Sequence, residues 1–182
     1  MPEENQKTDL RNLTFVEMEV FVTGLGLPSG RARQLFSWVN RPGVQHFTQM
    51  LDIKKEVRDT LDRHAYISSV PAEVIEKSSD GTVKFGFRLH DGAMIESVLI
   101  PSENRYTLCV SSQVGCAMGC LFCLTAKMGF IRNLAVSEIV GQVMAVLDYM
   151  VGQGIERATP REFINNLVFM GMGEQLANYD SL

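Results

Sequence analysis

The sequence predicts an α/β protein: a small helical accessory module, an antiparallel β extension, and the opening βα units of a parallel barrel left incomplete. Three observations carry this. Apolar residues recur at helical spacing through the first 65 positions; short strand-like runs divided by Asp-Gly pairs follow to about 102; and from 103 a strand, a Cys- and Gly-rich loop, a helix and a second strand come in βαβ order. The predicted divisions are therefore 1–65, 66–102 and 103–182.

The helical module is read from its start and stop signals. Thr14 with Glu17 makes a capping-box pattern ahead of Phe15, Val16, Met18, Val20, Phe21 and Val22, and Gly24 with Gly26 supplies stops, so a helix is predicted over 14–23. Ser29 opens a second apolar-periodic stretch with Ala32, Leu35, Phe36, Trp38 and Val39, closed by Pro42. A third runs over 53–64 with Val57 and Leu61 inward. From Pro71 the rhythm becomes strand-like at 73–77, 83–89 and 94–100, with Asp80-Gly81 and Asp91-Gly92 between as hairpin turns. Then 106–111 reads as a strand, Ser137 as the cap of a helix to about Met150, and 166–170 as a second strand parallel to the first. That strand runs into Gly171-Met172-Gly173-Glu174, and Leu182 follows soon after. A closed parallel barrel needs more strand–helix pairs than this, so the sequence reads as a fragment or as a chain whose exposed face something else covers.

Composition narrows the function. At 182 residues and 46% hydrophobic content the chain holds one sizeable core or two small ones. No apolar run approaches the roughly 20 residues that span a bilayer, and the acidic start Met1-Pro2-Glu3-Glu4 lacks the features of a signal peptide, which places the chain in the cytoplasm. The net charge of -4 argues against a generally nucleic-acid-binding surface, but its distribution is uneven. Residues 1–65 are balanced, and Arg31, Arg33, Arg41, Lys54, Lys55, Arg58 and Arg63 would line one basic face or simply a solvated helix surface.

All four cysteines fall between positions 109 and 123, and such bunching in a reducing compartment favours metal ligation or redox chemistry over disulfides. Cys116, Cys120 and Cys123 stand in C-x3-C-x2-C spacing, close enough to ligate three irons of one 4Fe–4S cube. Three thiolates leave one iron open, the arrangement by which S-adenosylmethionine (SAM) radical enzymes chelate the amino and carboxylate groups of SAM. The rival is a zinc knuckle with Cys109 as fourth ligand, although zinc sites usually pair their ligands two by two and no second pair is present. In Gly171-Met172-Gly173-Glu174, glycine permits close backbone approach to a ligand, and Glu174 can accept from an ammonium such as the amino group of SAM; a plain turn after a strand is the alternative.

Thr107-Leu108-Cys109-Val110-Ser111-Ser112-Gln113-Val114-Gly115-Cys116, then Cys120, Cys123, Thr125-Ala126, Gly129-Phe130 and Arg132-Asn133-Leu134, closely resemble the RlmN/Cfr family of radical SAM RNA methyltransferases, adenine-C2 branch. The helical start and the Ser79-Asp80-Gly81-Thr82-Val83-Lys84 hairpin fit as well. The resemblance implies a radical SAM (partial βα) barrel and an enzyme using two SAM molecules, one to methylate a protein cysteine and one as radical source. Adenine C2 is not nucleophilic, so polar methyl transfer would fail there. Family members act on an adenine of 23S ribosomal RNA, and some on transfer RNA at the adenine following the anticodon; a flavodoxin-like reducing electron donor is implied. By position, Cys116, Cys120 and Cys123 match the cluster ligands, and Gly173 with Glu174 the SAM contact. Cys109 matches the cysteine that resolves the covalent protein–RNA intermediate, and Glu96 the proton acceptor. Read without the family, Glu96 is an exposed strand position and Cys109 a packed core thiol.

Two departures stand out. Gln175 replaces the proline that the family usually carries after Gly-Glu, and nothing after Leu182 supplies the methyl-carrying cysteine expected near the family's C-terminus, so this chain alone is expected to be inactive in methylation. The motifs do not separate C2 from C8 methylation of adenine. A non-catalytic Fe–S or RNA-binding fragment, reading folded RNA by shape and backbone, is the rival from outside the enzymes.

Overall fold

In a computed structural model, residues 7–103, 105–155 and 163–182 are described. The Met1–Glu4 start used above to argue against a signal peptide lies outside them. The chain forms two compact units, Met1–Ser69 and Val70–Leu182.

In the first unit, a short strand β1 (Thr8–Asp9) leads to helices α1 (Phe15–Gly24), α2 (Gly30–Val39) and α3 (Lys55–His64), and β2 (Ala65–Tyr66) returns parallel to β1. Thr14 caps α1 as its sequence predicts: its hydroxyl accepts from the Glu17 N–H while the Glu17 carboxylate accepts from the Thr14 N–H at 2.8 Å. Met18, Val22, Leu35, Val39, Phe47, Met50 and Leu61 form the core. Buried among them is Arg11, whose guanidinium donates to the carbonyls of Val39, Val44 and Ser68 and so satisfies three chain segments with one side chain. Ser29 sits at the start of α2 without making a side-chain cap.

The second unit is built on a five-stranded sheet. Strands β3 (Ala72–Lys77), β4 (Val83–Arg88), β5 (Met94–Ser102) and β6 (Arg105–Cys109) form an antiparallel meander. At its turns, Asp80 accepts from the Thr82 N–H and Asp91 from the Ala93 N–H, with Gly81 and Gly92 at positive φ. A two-stranded antiparallel ribbon follows, β7 (Gln113–Gly115) against β8 (Phe130–Asn133), with the one-turn helix α4 (Leu124–Lys127) between them. Helix α5 (Val136–Gly152) then crosses over to β9 (Asn166–Val168), which joins β6 in parallel with Cys109 opposite Val168. The meander and the parallel pair are thus one continuous sheet. Phe85, Phe87, Ile95, Leu99, Leu108 and Val110 face Val146, Leu147 and Met150 of α5 in the core.

Three expectations are corrected. The strands end at Cys109 and Val168, two residues short of the predicted 111 and 170, because the chain bends there into loops that bond to each other rather than continuing the ladder. The cysteine loop contains a ribbon where the sequence suggested only loop. Ser137 lies inside α5 and does not cap it; the Glu138 carboxylate instead reaches back to accept from the Ala135 N–H at 2.9 Å.

Candidate active site

The site is assembled where the parallel neighbours β6 and β9 end. Ligands of open α/β sheets bind outside the carboxyl ends of the strands, and both candidate motifs leave from there. From β6 the chain passes through buried Val110, Ser111 and Ser112 into β7. From β9 it passes into Gly171-Met172-Gly173-Glu174, which lies against that segment. The Gly171 N–H donates to the Val110 carbonyl at 3.1 Å, and the N–H groups of Ser112 and Gln113 donate to the Met172 carbonyl at 2.9 and 3.2 Å. The contact is close enough to dictate glycine. A Cβ on Gly171 would stand 2.8 Å from Ser111 Oγ, and one on Gly173, itself at φ +103°, would stand 2.6 Å from Gln113 Cβ.

The ribbon carries the cysteines outward. Gly115 crosses β8 so tightly that a Cβ there would meet the Gly129 carbonyl at 1.8 Å, and the Cys116 N–H donates to that same carbonyl at 3.1 Å. Beyond it the loop reaches solvent, with Leu121 and Phe122 each 94% exposed. Cys116 is buried, Cys123 half-buried and Cys120 exposed. Cys123 stands just ahead of α4; the Ala126 N–H, seconded by the Thr125 N–H and hydroxyl, holds its thiol below its ordinary value. Among the described residues no three His, Cys, Asp or Glu side chains are gathered to hold a metal, so the three thiols share a loop without converging, and Cys109 does not join them. The donor set nonetheless fits a cluster: soft sulfur ligands, one already biased toward thiolate, on a loop with solvent access. Cluster binding itself supplies the free energy that gathers such ligands.

Glu96 and Cys109 lie on one face of the sheet. Val98 pairs with Cys109 across β5 and β6, so Glu96 is a diagonal neighbour of Cys109, about 7–8 Å away by strand geometry. Burial reads the same way: Ile95, Ser97 and Leu99 are buried toward α5, whereas Glu96 and Ile100 are exposed on the far side. Lys84, from the hairpin motif, stands 3.0 Å from Glu76 and 3.5 Å from Glu96, and these carboxylates, Glu76 foremost, raise its pKa. Burial pushes the Cys109 thiol up, partly opposed by the Met170 N–H on its sulfur. Cys109 is therefore less a core thiol than a half-buried one beside the end of β9. Glu174 has a structural task too, its carboxylate capping the 3-10 turn Gln175–Ser181 through the Leu176 N–H at 3.0 Å.

Several residues that organise the site were given no role by the sequence. Gln142 of α5 is fully buried; its amide oxygen accepts from Ser97 Oγ and the Ser111 N–H, and its nitrogen donates to the Ser111 carbonyl. Ser111 Oγ in turn donates to the Glu96 carbonyl at 2.6 Å and accepts from the Met172 N–H at 2.9 Å. Arg132, at the far end of β8, binds Asp91 and Glu138 together.

Comparison with known proteins agrees with this geometry. Residues 8–67 match the family model of the ribosomal RNA large subunit methyltransferase N-terminal domain. A protein of Desulfotalea psychrophila named dual-specificity RNA methyltransferase RlmN is 48% identical over 97% of this chain and 49% of its own length. The Geobacter sulfurreducens protein of the same name is 48% identical over 96% of this chain and 45% of its own length. A crystal structure of a radical SAM methyltransferase from Sphaerobacter thermophilus aligns with a TM-score of 0.82 at 37% identity, over 96% of this chain and 49% of that one. The chain spans about half the length of the relatives it matches, and its first domain is the one named N-terminal. The chain is thus similar, over nearly all of its length, to the N-terminal part of the RNA methyltransferases named RlmN.

Proposed function

We propose that this chain forms the cluster- and SAM-binding part of a radical SAM methyltransferase that modifies C2 of an adenine in 23S ribosomal RNA and in transfer RNA, in the cytoplasm. The observation that carries it is the direct hydrogen bonding of Gly171-Met172-Gly173-Glu174 to the base of the cysteine ribbon at the carboxyl ends of two parallel strands. The parallel pairing of β6 with β9 sets the two motifs side by side, so that a ligand held by one is within reach of the other.

In this reading Cys116, Cys120 and Cys123 hold a 4Fe–4S cluster by three irons. When bound, such a cluster supplies the electron that cleaves SAM at its sulfonium. The chain's own residues bind and orient. Gly173 lets the backbone approach SAM, and the Glu174 carboxylate accepts from its ammonium. Glu96, on the sheet face shared with Cys109, takes a proton from the modified adenine, and Lys84 keeps a cation beside that carboxylate. Cys109, with its thiol held protonated until it meets substrate, resolves the covalent protein–RNA species. The helical domain 1–65 meets the RNA, the strands of 66–102 extend the sheet, and 103–182 begins a partial barrel. The methyl-carrying cysteine would come from the half of the relatives' length that these residues do not span, so this segment alone is expected to load SAM without methylating RNA.

The test is metal and sulfide analysis with visible and EPR spectra on anaerobically reconstituted protein, beside Cys120→Ala. About four irons per chain and a reduced-cluster signal perturbed by SAM are expected, both lost in the variant. Stoichiometric zinc without that spectrum overturns the reading.

A further inference from the structure

Buried between the cysteines and Gly171-Met172-Gly173-Glu174 is a side chain to which the sequence assigned no role. Gln113, 2% exposed at the first position of β7, has its Oε1 2.9 Å from the Glu174 N–H and its Nε2 2.8 Å from Asn133 Oδ1 on β8. The orientation of this amide is determined by chemistry, since a backbone N–H can only donate and so requires Oε1. The amide nitrogen then faces Asn133 Oδ1, and Asn133 Nδ2 is left to donate to the Ala177 carbonyl at 3.2 Å. Every partner in this relay is satisfied in one direction only. It runs from Glu174, through the first rung of the ribbon that presents the cysteines, and back to Ala177. Gln113 and Asn133 are also opposite each other in the β7–β8 ladder, so the same pair fixes the ribbon's register. Gly173 completes the fit, because any side chain there would collide with Gln113.

We infer that Gln113 is a positioning residue for the SAM site, its side-chain amide locking the Glu174 backbone to the cysteine ribbon so that the carboxylate and the cluster ligands keep one spacing. This rests on the reading of Glu174 and the three cysteines given above. A chelated ligand touches both the open iron and Glu174, so an error in their separation is felt directly in its affinity. The fully buried Ser111–Gln142 pair anchors the same loop from the α5 side, but it bonds the Met172 amide and the Glu96 carbonyl rather than Glu174 itself, so among the described residues Gln113 is the side chain that links the ribbon to Glu174.

The experiment compares wild type, Gln113→Leu, Gln113→Glu and Glu174→Gln as reconstituted proteins. It reads iron content, SAM affinity by equilibrium dialysis, and amide exchange at Glu174 by NMR. Gln113→Leu keeps the shape but makes neither bond; it is expected to retain the iron, speed Glu174 exchange at least roughly tenfold and weaken SAM by about tenfold, the range of a lost hydrogen bond between two groups. Gln113→Glu keeps an acceptor for the Glu174 N–H but cannot donate to Asn133, so Glu174 protection is expected to return in part while SAM affinity stays below wild type. The inference is overturned if Gln113→Leu leaves Glu174 exchange unchanged, or if it speeds exchange with SAM affinity equal to wild type. Should Glu174→Gln alone leave SAM affinity untouched while Gln113→Leu weakens it, the assignment of the Glu174 carboxylate falls and the positioning role of Gln113 stands.

Discussion

At the scale of single residues, the site depends on glycines whose missing side chains are filled by neighbours. Gly115 is the sharpest case: φ is +75° and a methyl group would overlap the Gly129 carbonyl at 1.8 Å. Backbone atoms on both sides leave nothing flexible to yield, so Gly115→Ala must open the ribbon beside Cys116. We expect it to cost about 3 kcal/mol in urea unfolding, the upper range for strained backbone positions, and to lower iron content on reconstitution. Unchanged stability would mean that β7 and β8 do not cross as described. The three thiols stand out in the sequence because their spacing suits iron–sulfur ligation, and among the described residues they share a loop without converging. The roles of Gln113, Ser111 and Gln142 were not legible, because their partners at the site lie 15 to 61 residues away and a glutamine in a strand or helix gives no local sign of what its amide will meet. Lys84 was legible only as part of a hairpin; that it faces Glu96 follows from the register of β4 against β5 across the Asp91-Gly92 turn.

At the scale of elements, legibility followed the strength of local signals. The Thr14–Glu17 box announced α1 and Asp-Gly pairs announced the first two turns of the meander, since in each case a side chain bonds backbone only two or three residues away. The ribbon β7–β8 was missed for the opposite reason: its strands are three and four residues long, too short for alternation to emerge. For α5 the wrong oxygen was chosen, because a hydroxyl near a helix start resembles a cap, whereas here Glu138 serves the Ala135 N–H and Arg132 at once. The cap of α1 offers a direct measurement. Thr14→Ala removes the acceptor for the Glu17 N–H in an exposed first turn, and a loss of about 1 kcal/mol is expected in an unfolding curve followed by the fluorescence of Trp38, the sole tryptophan, which lies in the same unit. A loss of only a few tenths would assign the helix start to packing of Phe15 against Phe36 instead.

At the scale of the whole chain, the second unit carries a partly buried charge cluster that makes its stability pH-dependent in a predictable direction. Arg132 binds Asp91 at 2.7 Å and Glu138 at 2.7 Å, and the Glu138 side chain is only 9% exposed. Hydrogen bonding to Arg132, then the Ala93 N–H, lowers Asp91 from its ordinary 3.8 to about 2. Burial alone would raise Glu138, but Arg132 and the Ala135 N–H outweigh it and the net shift is downward. A carboxylate with a lowered folded pKa contributes stability that is complete above its unfolded value and lost as pH falls through the folded one. The wild-type unit should therefore hold its stability down to the ordinary carboxylate range and lose this contribution toward pH about 2, where Asp91 is protonated. Arg132→Leu should invert the trend for Glu138. With its chief partner gone, burial dominates against one N–H from Ala135 and His90 at 3.6 Å, so the folded pKa moves above the unfolded value. The variant should then be much weaker than wild type at pH 7 and gain stability on acidification toward pH 5, where wild type stays flat. Urea midpoints across that range, followed by near-ultraviolet dichroism of Tyr149 packed edge-on to Phe85 at 5.1 Å, distinguish the two slopes. A variant whose midpoint stays as flat as that of wild type across that range would show that Glu138 is solvated and that Arg132 serves only the Asp91 turn.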